Sequence, residues 1–135
     1  MSKDRIEFAD DFQSCHRTYV TICFYHAASD PSVVTNILKL DPSRTAKKNR
    51  SGWFLTTKDI CSSRDFRRHV VEILNNIQDK SKEMEQLRNS GWEINMQCFW
   101  VSSSGNGGPI VDRNFMKYVS EFDLDIHFDI WFGED

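Results

Sequence analysis

The sequence predicts an α+β fold: two β-α-β units in a ferredoxin-like arrangement, forming one sheet with helices on one face and a long connecting helix between the halves. Three observations carry that expectation. Residues 18–27 and 92–101 alternate with a period of two and are rich in β-branched and aromatic side chains. Between them, apolar residues recur at helical spacing. The series strand, Ser-Asp-Pro turn, helix, strand is then followed, after the connecting helix, by strand, Gly-Gly-Pro turn, helix, strand.

Each element has its own local cause. Residues 1–17 form a polar N-terminal segment, with Ile6, Phe8 and Phe12 as its apolar anchors, and residues 18–135 form the α+β domain. In TYVTICFYHA, Val20, Ile22 and Phe24 point one way, and Tyr19, Thr21, Cys23 and Tyr25 the other. Asp30-Pro31 starts a helix that buries Val33, Val34, Ile37 and Leu38 and stops before Asp41-Pro42. A basic loop with Arg44, Lys47, Lys48 and Arg50 leads to a short strand at Trp53-Phe54-Leu55. Ser62 or Ser63 caps a long helix reaching about Asn89, whose stripe is Phe66, Val70, Ile73, Ile77, Met84 and Leu87.

The strand from Trp92 to Val101 turns at SSSGNGGP into a helix over residues 111–121 that buries Phe115, Met116 and Val119. The last strand, residues 123–132, alternates cleanly. Leu124, Ile126, Phe128, Ile130 and Phe132 face the core, and Asp125, His127, Asp129 and Trp131 face away.

Composition bounds the function. A chain of 135 residues with 39% hydrophobic and 13% aromatic residues can bury a core of its own. A net charge of −3 argues against nucleic acid as a partner. No apolar run approaches the ~20 residues of a membrane span, and the charged N-terminus lacks the apolar core of a secretory signal. The four cysteines, Cys15, Cys23, Cys61 and Cys98, form no CxxC pair and no zinc-type cluster, which points to a reducing, cytoplasmic compartment. No cofactor motif is present, so no cofactor is expected.

Three groups of residues offer chemistry. On the last strand Asp125, His127 and Asp129 sit at i, i+2 and i+4 of one face. Two carboxylates and an imidazole suit a divalent metal or a tuned general base, and the same row is what the wet side of a half-open sheet presents. Ser104, Gly105, Asn106, Gly107 and Gly108 could offer backbone N–H groups to an anion. They lack the Lys-Ser/Thr of a phosphate-binding loop, and a turn needing positive φ at Gly107 or Gly108 explains them equally. Cys61, ahead of the long helix, is a weak nucleophile candidate with no His beside it in sequence.

The third group is a surface. From Gly91 onward eight acidic residues face two basic ones, whereas residues 42–90 carry eleven basic and six acidic residues. The outward residues Glu93, Asn95, Gln97, Asp125, His127, Asp129 and Trp131 combine acid, amide and aromatic groups. That mixture suits steered contact with a basic protein partner.

The chain also resembles a family of small bacterial single-domain proteins known as a domain of unknown function. TYVTICFY, ILKLDPSR, GWFLTT, FWVSSSGNGGP and LDIHFDIWF carry the likeness, in order, over nearly everything after Arg17. The resemblance implies a bacterial protein and transfers no catalytic residue. With no catalytic constellation in view, the expected function is a protein-binding module, an immunity protein neutralising a basic toxin domain. The alternative is a metal-dependent enzyme or an anion-binding protein built on the last strand or the Gly-rich loop.

Overall fold

A computed structural model describes residues 3–133. Among them are five strands and four α-helices: β1 (Cys15–His26), α1 (Ser32–Leu38), β2 (Arg44–Ala46), β3 (Ser51–Thr56), α2 (Phe66–Ile77), α3 (Ser81–Asn89), β4 (Glu93–Ser102), α4 (Arg113–Ser120) and β5 (Ile126–Trp131). The class is α+β, as expected. The sheet order is β2-β3-β1-β4-β5, antiparallel throughout except for the parallel pair β4–β5.

The two halves differ in topology. In the second, α4 carries the chain over to a strand parallel to β4. In the first, β3 returns antiparallel to β1, with β2 folded against its outer side. The recurring series of elements is therefore not a repeated β-α-β unit: β2, hidden in the basic loop, reverses the direction of the strand after α1.

Alternation on the long strands sets the layers. Val20, Ile22 and Phe24 of β1, Trp53 of β3 and Met96, Cys98 and Trp100 of β4 lie under the helices and are almost wholly excluded from water. Val34 and Leu38, Phe66, Val70, Ile73, Leu74 and Ile77, Met84 and Leu87, and Phe115 and Val119 close the core from the helical side. Among the described residues no helix covers the opposite sheet face.

Several boundaries depart from the sequence expectation. Strand β1 begins at Cys15, inside the segment expected to precede the domain, and the last strand is Ile126–Trp131 rather than residues 123–132. The long connecting helix is two helices, because Gln78, Asp79 and Lys80 offer nothing to bury between Ile77 and Met84, and the chain bends there. The cap of α2 is Asp65, whose carboxylate accepts from Arg67 N. Ser63 instead donates to Asp10 and accepts from Asp65 N. Helix α1 stops at Leu38 because Lys39 turns left-handed (φ 59°), ahead of Asp41-Pro42.

The edge strand β5 holds the largest departure. Its faces are as read: Phe128 packs edge-on against Phe66, with ring centroids 5.2 Å apart. Its depth is not. Phe128, Ile130 and Phe132 are 39%, 37% and 58% exposed, because β5 closes the sheet and the helical layer does not reach over it. On α4, Met116 faces water and Tyr118 takes the buried position instead.

One buried ion cluster joins the layers. Arg67, at the first turn of α2, donates from Nε and a terminal nitrogen to both oxygens of Asp65 (2.9 and 2.7 Å). Its other terminal nitrogen reaches Asp112, the cap of α4, at 2.7 Å, and a further bond goes to the carbonyl of Glu7. Asp65 also accepts from Ala9 N.

Two stability measurements follow. Arg67→Ala should cost about 3–5 kcal/mol in urea denaturation, since it strands the buried carboxylate of Asp65. Phe128→Ala should cost only about 1–2 kcal/mol, well below the ~3–5 kcal/mol of a fully enclosed Phe; a larger loss would show that the β5 edge is covered.

Candidate functional site

The helix-free face of the sheet gathers the polar and aromatic residues of all five strands. The registers align Asn95, Gln97 and Phe99 of β4 with Cys23, Thr21 and Tyr19 of β1 on one side. On the other side Gln97 and Phe99 align with His127 and Asp129 of β5. Phe54, the β3 partner of Cys23, and Arg44, the β2 partner of Phe54, extend the row to the far edge. Together they line an open cleft of about 260 Å³ bounded by Arg44 at one end and Asp129 at the other.

Ring contacts run across this face. Tyr19 stacks on Phe99 at 4.9 Å, Phe99 meets Trp131 at 6.4 Å, and Tyr25 meets Phe54 edge-on at 5.6 Å. Guanidinium groups lie on the rings: Arg44 over Phe54 at 4.0 Å, Arg50 over Tyr25 at 3.8 Å, and Arg17 near both Tyr19 and Phe99. Gly52 makes room for the Phe54 ring, since a β-carbon there would sit 2.6 Å from it.

The face is therefore bipolar. The sequence brought out the acid, amide and aromatic groups of β4 and β5, and the structure does place Asn95, Gln97, His127, Asp129 and Trp131 on adjacent parallel strands, with Asp125 just ahead of β5. Glu93 lies at the far end of β4, where Arg50 lies 3.6 Å away. The cationic and aromatic half, built from Tyr19, Tyr25, Arg44, Arg50 and Phe54, was missed. Its signal was the outward set Tyr19, Thr21, Cys23 and Tyr25 on β1, whose neighbours could not be named without the strand order.

The other candidates are distributed differently. Asp125, His127 and Asp129 are exposed along β5, and among the described residues no three His, Cys, Asp or Glu side chains converge to hold a metal ion. The Gly-rich loop does not open a helix. Pro109 to Asp112 intervene, and the N-terminus of α4 is capped by Asp112. Within the loop, Ser102 Oγ accepts from Gly105 N at 3.0 Å and donates to Asn106 O, while Ser104 bonds to the Asn106 side chain. Gly105 and Gly107 have φ of 85° and 81°, as a turn requires, and Gly108 does not.

Cys61 is half-buried in a turn, its N–H on Thr57 O, four residues short of the α2 cap. Burial pushes the thiols of Cys15 and Cys98 up to about 11 and about 12. A cleft of about 750 Å³ lies between α3 and α4, bounded by Lys3 and Asp4 where the described residues begin, with Met84, Arg88 and Tyr118 in its wall.

One buried titratable group ties the open face to the helices. His69 is fully buried, donates from Nε2 to Ser63 O at 2.7 Å, and accepts at Nδ1 from Thr57 Oγ1 at 2.6 Å. Thr57 in turn accepts from Val20 N of β1.

An α+β protein with a five-stranded mixed sheet, helices on one face and the other face open, is the class these features define. The model for the family "Domain of unknown function (DUF4279)" matches residues 16–133, and the chain belongs to that family. No curated protein and no solved structure matches it. Among the described residues no helix is long and apolar enough to cross a membrane.

Burial holds the His69 pKa below its ordinary 6.5. The unfolded chain then takes up the proton first as pH falls, so stability is complete above about 6.5 and declines as pH drops toward the folded value. Urea midpoints between pH 8 and 5 should show that decline, and His69→Gln should flatten it.

Proposed function

We propose that this protein is a non-catalytic protein-binding module of the bacterial cytosol, and that it acts as an immunity protein, masking a cognate toxin domain with the open face of its sheet. The observation that carries the reading is the continuous aromatic and polar surface from Arg44 to Trp131, which no helix covers. The half-buried rings of Tyr19, Tyr25 and Phe99 and the exposed ring of Trp131, with cations and carboxylates at their borders, have the composition of a protein contact: the rings supply desolvated area and the charges set orientation.

The polarity of the face names the partner's complement. Asp125 and Asp129 at the β5 side fit a basic patch, such as the substrate groove of a nuclease toxin, while Arg44 and Arg50 at the opposite border fit acidic groups on its rim. The shallow cleft between them takes a side chain of the partner rather than an enclosed substrate.

The partner to test first is a toxin domain encoded beside this gene. With a purified pair, Asp125→Asn combined with Asp129→Asn should slow association and flatten its salt dependence, and Trp131→Ala should mainly speed dissociation. Rates unchanged in both variants, each shown to be folded by circular dichroism, would remove this face from the contact. Metal retained stoichiometrically by the native protein and lost in the Asp variants would support the metal-dependent alternative instead.

A further inference from the structure

We propose that the free edge of β5 pairs with the β5 edge of a second copy of this chain, antiparallel and about a two-fold axis at Phe128, so that two sheets become one. The inference concerns the edge of the sheet and stands independently of the partner assigned to its face.

The first observation is the edge itself. Strand β5 ends the sheet, and among the described residues nothing pairs along its outer side. Residues 124–133 contain no Pro and no Lys, two devices that commonly blunt an open edge. Along that edge Phe128, Ile130 and Phe132 stay more than a third exposed on the helix side of the sheet.

The second observation fixes which backbone groups are free. Met96 N donates to Asp125 O, at 2.9 Å. In a parallel pair this assigns the inward-pointing N–H and C=O groups of β5 to Asp125, His127, Asp129 and Trp131. The outward-pointing groups then belong to Ile126, Phe128 and Ile130. An antiparallel partner copy must therefore place these even-numbered residues opposite one another as hydrogen-bonded pairs.

Charge complementarity selects among the registers that remain. Centred on His127, the pairing sets His127 against itself and Asp125 against Asp129. Centred on Asp129, it sets two carboxylates face to face. Centred on Ile126, it sets Asp125 against His127, but every other residue of β5 then faces a residue before Ile126, outside the strand. Centred on Phe128, it sets His127 against Asp129 on both sides of the axis, Phe128 against Phe128, and Ile126 against Ile130.

The His127–Asp129 pairs fall at the non-hydrogen-bonded positions, where β-carbons come within about 4.5–5.5 Å. The imidazole is ready for that contact. Gln97 Nε2 lies 3.3 Å from His127 Nδ1 and donates to it, so the ring proton sits on Nε2, free to donate to the carboxylate. One strand thus carries a self-complementary pattern of the kind a two-fold interface requires.

The test uses the full chain alone. Sedimentation velocity over a concentration series should show the mass rising from 15.8 kDa to twice that value. His127→Asp sets two carboxylates opposite each other at both ends and should weaken the dimer about tenfold. Asp129→His should weaken it too, and the exchanged double variant, His127→Asp with Asp129→His, should restore it. Ile130→Lys, at an already exposed site, should abolish it while the fold is retained by circular dichroism. Hydrogen exchange at the amides of Phe128 and Ile130 should slow as concentration rises. A monomer at all concentrations, or a dimer indifferent to these variants, would overturn the proposal, as would failure of the exchanged variant to recover while Ile130→Lys remains dimeric.

Discussion

The structure depends on a guanidinium taken out of water. Arg67 is 6% exposed and Asp65 4%, so each has lost most of its hydration, and the loss is offset only if nearly every polar atom finds a partner. Both carboxylate oxygens of Asp65, one oxygen of Asp112 and the carbonyl of Glu7 accept from the guanidinium, and Asp65 also caps α2 and receives Ala9 N. Asp112 performs the same double duty for α4. The N-termini of two helices and the segment ahead of β1 are therefore positioned by one planar cation. Asp10, held below its ordinary pKa chiefly by its bond to Arg68, adds a second, exposed tie from that segment to α2. Because α4 sets where the chain re-enters the sheet, the position of β5 follows from this cluster.

What could be read beforehand separates along a physical line. Period-two alternation says which side of a strand a residue takes, and it did so correctly for Ile22, Trp100 and Phe128. It carries no information on how far the opposing layer extends, so Phe128 and Ile130 read as core residues although they border water. Strand direction was equally out of reach: three residues of β2 inside a basic loop decide that β3 runs against β1. Nothing in the local sequence marked the Arg67 cluster, because two of the guanidinium's partners, Asp112 and Glu7, lie 45 and 60 residues away.

The open face of the sheet divides in the same way. Its β4 and β5 half was legible because each strand alternates and the charge bias of the C-terminal third is visible in composition. Its β1, β2 and β3 half depended on lateral neighbours. Only the register brings Arg44 over Phe54 and Tyr25 against Phe54. The correction is chemical as well as spatial. A face expected to be acidic is acidic along one border and cationic along the other, a polarity that would set the orientation of the proposed partner as well as its sign.

Face and edge meet at the same two side chains. His127 and Asp129 belong to the open face, yet they also flank the outer backbone of β5, whose free N–H and C=O groups alternate with them. Folding accounts only in part for the helix-side row: Phe128 packs on Phe66, yet Phe128, Ile130 and Phe132 each keep more than a third of their surface in water. A polar residue at the most exposed of these, Phe132, would protect the edge from unwanted pairing. An apolar row retained beside free hydrogen-bonding groups, with His127 and Asp129 facing each other in the register that pairs most of the strand, supports an edge that is used. Two open faces would then become contiguous across β5, with Trp131 of each copy near the seam and the cationic borders at Arg44 outermost.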